Sequence, residues 1–317
     1  MTQCTAALLD EVYTLLAFLA AESGAAADYI DNIKHVIHTA QASERTGFAF
    51  TALPLLACQA AGGMPADAVP VAAAWRALHI ATHLLDEVED GDVARISSSL
   101  TDPPRVINLA TGFIALAQLA LSRLPLEQRT NLVDDFMNTL FRMAGGQHWD
   151  LERQTDRDLA TYTAIMEAKS GAFFAFAARA GAVCAGLPDA DLQVYTTLGH
   201  HIGILVQLAN DWAGLRASAG CGDLAQGQRT APICYTLAVA SPAERARLEQ
   251  LLLQAPHDRD AEAQARSLIN ALGAGLYIQI EFTRHHQRAS AALAAVTGAP
   301  AQIAPLHQWV AHLPGLR

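Results

Sequence analysis

Five acidic residues fall within seven positions at Asp86-Glu87-Val88-Glu89-Asp90-Gly91-Asp92, directly after the apolar run Ala77-Leu78-His79-Ile80-Ala81-Thr82-His83-Leu84-Leu85. At helical spacing Asp86 and Asp90 share a face, with Glu87 beside them. Like charges four apart cost a bare helix about 0.2–0.5 kcal/mol per pair, so the cluster asks for a compensating cation. Mg²⁺ suits it, because that ion takes one or two carboxylates, keeps several waters and fills its remaining positions with substrate phosphate. The plainer reading is a solvated acidic helix end. Against it stands the position, at the close of an apolar helix and before Gly91, where a core would open. His79 and His83 lie four apart on an overlapping face, so a transition-metal site is conceivable. A di-iron bundle would need paired Glu-x-x-His motifs, which this helix lacks, and two partly buried core histidines are expected instead. Of the consecutive His200-His201, one is expected in the core and one among polar groups.

A second apolar run, residues 198–214, also becomes polar near its end, at Gln207, Asn210 and Asp211. Gly222-Asp223-Leu224-Ala225-Gln226-Gly227-Gln228-Arg229-Thr230-Ala231-Pro232 follows it. This is a glycine-rich loop entering a new helix, where backbone N–H groups could face an anion.

The elements that must position these residues are helices. Helical periodicity runs nearly end to end, broken at Gly62-Gly63, Asp102-Pro103-Pro104, Gly186-Leu187-Pro188, Gly220-Cys221-Gly222, Ser241-Pro242 and Pro256. Asp102-Pro103-Pro104 and Ser241-Pro242-Ala243-Glu244 read as helix starts, the second with a capping-box acid. Strand alternation bounded by hairpin signals is absent, and no linker or fixed-period repeat appears. The expectation is one all-α domain over residues 1–317. A chain that is 52% hydrophobic and 16% charged is too apolar and too sparsely charged for disorder. With 21 basic against 31 acidic residues, the formal net charge of −10 argues against non-specific nucleic-acid or anionic-membrane binding. The five scattered cysteines contain no CxxC pair and read as reduced cytoplasmic thiols. Asp10 and Glu11 interrupt the apolar N-terminus, and no basic segment precedes it, so no signal peptide is expected. The charge-free runs 46–66 and 192–210 are broken by Pro54 and Gly62-Gly63 or by Gln193, His200, His201 and Gln207. They read as core helices, not membrane spans.

Two helices that each end in polar residues, with the loop behind the second, give the chain a resemblance to the trans-isoprenyl diphosphate synthases, the polyprenyl synthetase family of the class I isoprenoid synthases. The resemblance spans nearly the whole length. Asp86-Glu87-Val88-Glu89-Asp90 stands where the family has its first DDxxD motif. Lys169-Ser170-Gly171 matches the Lys-Thr/Ser step that supplies a diphosphate-binding lysine. Ile202-Gly203, Gln207 and Asn210-Asp211 follow the IG…FQ…DD pattern, and residues 222–232 resemble GxDL…GKxTxP. The resemblance implies a single large helical bundle around a deep apolar cavity, in a cytoplasmic homodimer. It implies about three Mg²⁺ ions held by Asp86, Glu87, Asp90, Asn210 and Asp211. It also implies a prenyl diphosphate bound through Lys169, Gln207, Arg229 and Arg95. In the family, bulky residues four and five positions before the first motif close the cavity floor. Here these are the small Thr82 and Ala81, which implies room for chains longer than farnesyl.

The departures bear on the acceptor. The second motif has lost its first and last acids, becoming Asn210-Asp211-Trp212-Ala213-Gly214, and the loop lysine is Gln228 with Arg229 beside it. The family's GGKRxRP stretch, which holds isopentenyl diphosphate, falls at Glu44-Arg45-Thr46-Gly47-Phe48-Ala49-Phe50-Thr51-Ala52-Leu53-Pro54, with one arginine and no lysine. Paired arginines after the first motif are reduced to Arg95. Each missing basic contact forfeits a charge-assisted hydrogen bond of about 1.5–3 kcal/mol. Three readings follow: an atypical prenyltransferase, a class I terpene cyclase or lyase acting on one prenyl diphosphate, and a non-catalytic partner subunit. Crowded carboxylates argue against the last.

Overall fold

The computed structural model describes residues 3–89, 102–152 and 157–316. Within them every regular element is helical and no strand occurs, as the periodicity requires. In chain order the helices are α1 (Gln3–Glu22), α2 (Ala27–Thr46), α3 (Ala52–Ala60), α4 (Val69–Glu89), α5 (Pro103–Leu121), α6 (Leu126–Leu151), α7 (Leu159–Met166), α8 (Ala172–Cys184) and α9 (Asp189–Arg216). They continue as α10 (Asp223–Gln226), α11 (Ala231–Val239), α12 (Pro242–Gln254), α13 (Arg259–Ala271), α14 (Ala274–Ala294) and α15 (Pro300–Ala311). Ser241 starts α12 with a complete capping box, its hydroxyl accepting from the Glu244 N–H while Glu244 accepts from the Ser241 N–H. Asp102 precedes α5, with proline in the first turn, but its side chain makes no capping bond.

The chain divides into two compact units. The first comprises Met1–Asn138, Phe176–Thr196 and Leu293–Leu313, and the second Thr139–Ala175, Thr197–Ala292 and Pro314–Arg317. The first is organised on α4. Val71 to Leu78 are all buried, so this stretch is covered on every side, as expected of a helix apolar all round. Five alanines let its neighbours approach, and α5 packs along it through Val106, Leu109, Ala110, Phe113, Leu116 and Ala117. Among the described helices α5 is the one long and apolar enough to cross a membrane, and this buried stripe is that of a core helix. The run 46–66 becomes the nine-residue α3, and 192–210 lies within α9.

The second unit has two apolar clusters. Leu215, Leu224, Ile233, Leu248, Ala265 and Ile269 gather α9 to α13. Tyr162, Met166, Ile204, Leu208, Cys234 and Ile278 gather α7, α9, α11 and α14. Between α7 and α8 the helix widens into a π turn, Glu167–Gly171, a form that collects at functional sites.

Candidate functional site

In the first unit, the last turn of α4 carries half-buried Asp86 and Glu87 and exposed Glu89. Asp90 and Arg95 lie outside the described residues. Hard carboxylate oxygens here suit Mg²⁺, which asks for one or two of them. Among the described residues, no group of three or more His, Cys, Asp or Glu side chains is arranged to hold a metal. One turn back, the His79 Nδ1 accepts from Arg76 Nη1 at 2.7 Å, and its ring stacks on Trp75 at 5.8 Å. That lone pair is thus taken by a guanidinium and not offered to a transition metal. Ala81 is fully buried, and the Thr82 hydroxyl turns back to the His79 carbonyl at 3.0 Å.

In the second unit, the α9 residues take unequal parts. Asn210 is exposed, whereas Asp211 is 3% exposed and surrounded by donors. The Tyr162 hydroxyl lies 2.9 and 2.8 Å from its two oxygens. Gln207 Nε2 donates to Oδ1 at 2.8 Å, and the Ala231 N–H to Oδ2 at 3.2 Å. Burial pushes the Asp211 carboxyl up to about 7, against these hydrogen bonds and with help from the charge of Asp223. Burial and Asp211 together hold the Tyr162 phenol well above its ordinary value, so it remains a donor. The Ala231 N–H at the start of α11 is thus directed at Asp211 itself. Expected as a metal ligand, Asp211 has its oxygens committed to three protein donors, and Asn210 keeps the accessible amide oxygen.

Gln207 links this group to the π turn, because its Oε1 accepts from Ser170 Oγ at 2.8 Å. Two glycines let α9 lie that close: a Cβ at Gly203 would sit 2.1 Å from the Ser170 carbonyl oxygen, and one at Gly199 would sit 2.2 Å from that of Phe174. Beside Ser170, Lys169 donates to Asp150 Oδ2 at 2.8 Å. The other oxygen, Oδ1, accepts from Arg157 Nη1 at 2.9 Å. Arg157, 5% exposed, also binds the Trp149 and Asp150 carbonyls at 2.8 and 2.6 Å, closing the end of α6. Gly146 admits the lysine stem, since a Cβ there would lie 3.0 Å from Lys169 Cγ. Asp150, Arg157 and Tyr162 were not singled out by spacing. Asp150 could have been suspected as an acid closing a long helix, but Tyr162 has no local signal.

In the loop, Gly227 at φ +68° ends α10, and the Gln228 N–H returns to the Asp223 carbonyl at 2.8 Å. Asp223 accepts from Thr230 Oγ1 at 2.8 Å and packs on Gly214, where a Cβ would lie 2.1 Å from Oδ1. The position that lost the last acid of the second motif is thus filled, in space, by the carboxylate of Asp223. Arg229 is half-buried in the same loop. His200 and His201 are both half-buried, and His201 Nδ1 is 3.2 Å from His285 Nδ1. Neither is the plain core residue expected.

The stretch 44–54, in the first unit, does not offer its arginine freely. Arg45 binds Asp10 at 2.6 Å, and Gln41 binds the same oxygen at 2.9 Å. Glu44 is buried, accepting from Tyr13 Oη at 2.5 Å and from the Thr51 N–H at 2.8 Å.

The family model described as polyprenyl synthetase matches residues 48–269. A geranylgeranyl diphosphate synthase of Mycobacterium tuberculosis is 29% identical over 80% of this chain and 76% of its own. A short chain isoprenyl diphosphate synthase of Methanothermobacter thermautotrophicus is 26% identical over 71% and 73%. Among solved structures, a polyprenyl synthase from Caulobacter crescentus complexed with calcium and isoprenyl diphosphate superposes with a TM-score of 0.81 at 22% identity, covering 97% of this chain and 94% of that one. A polyprenyl synthetase from Streptomyces coelicolor gives 0.79 at 22% identity over 98% and 99%. These last two establish the fold.

Proposed function

The chain belongs to the polyprenyl synthetase family, and from that premise we propose that it is a Mg²⁺-dependent prenyltransferase that ionises an allylic prenyl diphosphate. The observation that carries this reading is the Lys169–Asp150–Arg157 chain at the π turn. It holds an ammonium in one place beside the Ser170–Gln207–Asp211–Tyr162 network. Preorganised donors of this kind act on charge that develops as a diphosphate departs, and need no reorganisation at that moment. Lys169 and Arg229 are the groups assigned to the diphosphate. Asp211, satisfied by its neighbours, orients Gln207 and fixes the start of α11. In the first unit Asp86, Glu87 and Asp90 are the carboxylates we assign to Mg²⁺, and in the second Asn210 and Asp211 are the further candidate ligands. Bound there, the ion supplies Lewis-acid withdrawal of charge from the leaving group.

A homodimer is part of the proposal. Phe141 on α6, 84% exposed, is the side chain we assign to that contact. The cytoplasm is the expected compartment.

The acceptor is the less usual half. With Arg45 engaged by Asp10 and with Glu44 beside it, the stretch 44–54 offers little to a second diphosphate. That observation favours, as a second reading, a class I cyclase or lyase that quenches the cation within one substrate. Diphosphate release from geranyl, farnesyl and geranylgeranyl diphosphates with Mg²⁺, with and without isopentenyl diphosphate, separates the two. Release that requires isopentenyl diphosphate and yields a longer diphosphate supports transfer. Release without it, giving hydrocarbon or alcohol, supports the cyclase. No release under either condition rejects both.

A further inference from the structure

A cavity of about 260 Å³ opens at the C-terminal end of α2, lined by the 44–49 stretch and by α15. Two buried polar side chains line it, Thr5 at 6% exposed and an acid, Glu44 at 9%, which also lines a smaller cavity of about 90 Å³. The Glu44 carboxylate takes hydrogen bonds from the Tyr13 hydroxyl and the Thr51 N–H, both uncharged donors. Among the described residues no cation pairs with it. Arg45, also at the cavity, is bound to Asp10 at 2.6 Å. Arg76, buried, lies over the Tyr13 ring at 5.9 Å, directs Nη1 to His79 and Nη2 to the Ala40 carbonyl, and leaves Nε without a hydrogen-bond partner among the described residues.

The remaining lining has the same polarity. Phe48 and Trp309 form an aromatic wall, their ring centroids 5.0 Å apart. Trp309 Nε1 donates to the Ala49 carbonyl at 2.9 Å, which fixes the indole. His312 donates from Nδ1 to the Gln308 carbonyl at 2.6 Å, so in the neutral ring Nε2 is an acceptor. A buried carboxylate with no counter-charge is costly, and aromatic faces attract cations through their quadrupole.

We propose that this cavity binds a small organic cation, a primary or quaternary ammonium bearing an apolar group, with its charge at Glu44 and its apolar part against Phe48 and Trp309. The stretch that the family resemblance assigns to a diphosphate thus selects the opposite charge. The inference does not require the prenyl-transfer reading.

The test is calorimetric and fluorescence titration of the full chain with phenethylammonium and tetramethylammonium chlorides, and with inorganic pyrophosphate as the anionic control. Saturable ammonium binding in the millimolar range or tighter is expected. It should weaken about tenfold in Glu44→Gln and about fivefold in Trp309→Leu, and pyrophosphate should not displace the ligand. Absence of saturable ammonium binding to the unmodified protein overturns the proposal. So does displacement by pyrophosphate, or equal affinity in a Glu44→Gln protein of unchanged circular dichroism. Should Glu44→Gln fail to fold, Phe48→Leu replaces it, and equal affinity there overturns the proposal as well. Diphosphate release measured on the same preparations keeps the two outcomes apart: lost ammonium binding with intact release fails this inference alone.

Discussion

Lys169 and Asp150 illustrate how much of the chemistry rests on pairs that the sequence does not place side by side. Nineteen positions separate them, yet Asp150 holds the ammonium at 2.8 Å. Lys169→Ala removes a charge assigned to the diphosphate and should lower kcat for diphosphate release about 100-fold. Asp150→Asn leaves Lys169 in place but less well oriented. The expected loss is about tenfold, carried by kcat more than by KM. Steady-state kinetics on both variants decides it, and an Asp150→Asn enzyme with kcat unchanged would reduce Asp150 to a surface partner. Lys169, Gln207 and Asn210 could be singled out from motif spacing. Tyr162 was not, because its meeting with Asp211 spans 49 positions and is set by how α7 packs on α9. For the same reason spacing shows the Asp211 carboxylate but not the three donors that surround it.

At the scale of elements, helices were the readable part. Periodicity and punctuation located them, and the Ser241–Glu244 capping box was visible in four letters. Close approach was less readable. Gly203 could be quoted as part of a motif, but its reason is the Ser170 carbonyl 2.1 Å from where a Cβ would stand. Gly203→Ala must push α9 away from the π turn, which should cost about 1–3 kcal/mol. It should also part Ser170 from Gln207. A thermal melt together with the diphosphate-release assay checks this, and a variant unchanged in both would mean the helices separate without consequence. Gly214 is the parallel case, its lack of a side chain giving Asp223 its place.

For the whole molecule, acid sensitivity follows from its histidines. Burial holds His79 well below its ordinary value. Burial, joined by neighbouring histidines and Arg288, brings His201 and His285 to about 4. In the unfolded chain each titrates near 6.5. Between about pH 4 and 6.5 the unfolded chain therefore binds protons at these histidines that the native one refuses, so their contribution to stability is complete above that window and falls as the pH drops through it, opposed in part by Asp211, whose carboxyl at about 7 keeps a proton in the native state that the unfolded chain releases. Urea unfolding followed from pH 7.5 to 4.5 should show this decline. His285→Gln, which removes one such group, should flatten it, and an unaltered slope would locate the acid sensitivity elsewhere. Association belongs to this scale too: Phe141→Glu should convert a dimer to a monomer by light scattering, and an unchanged mass would move the interface off α6. Neither property could be taken from composition, since both depend on which side chains the fold covers.

The π turn at Glu167–Gly171 can also be regarded as one surplus residue in an otherwise continuous α7–α8 rod. Removing a single codon there, for instance that of Ala168, would let the rod close into ordinary α-helix. One residue is about 100° of rotation, so the deletion would swing the α7 side relative to the α8 side by more than a quarter turn. Lys169 and Ser170 could not then both meet Asp150 and Gln207 while Tyr162 still reached Asp211. A gene that lost those three bases would encode a smoother helix in which these contacts are parted, so they depend on the length of this turn as well as on its letters.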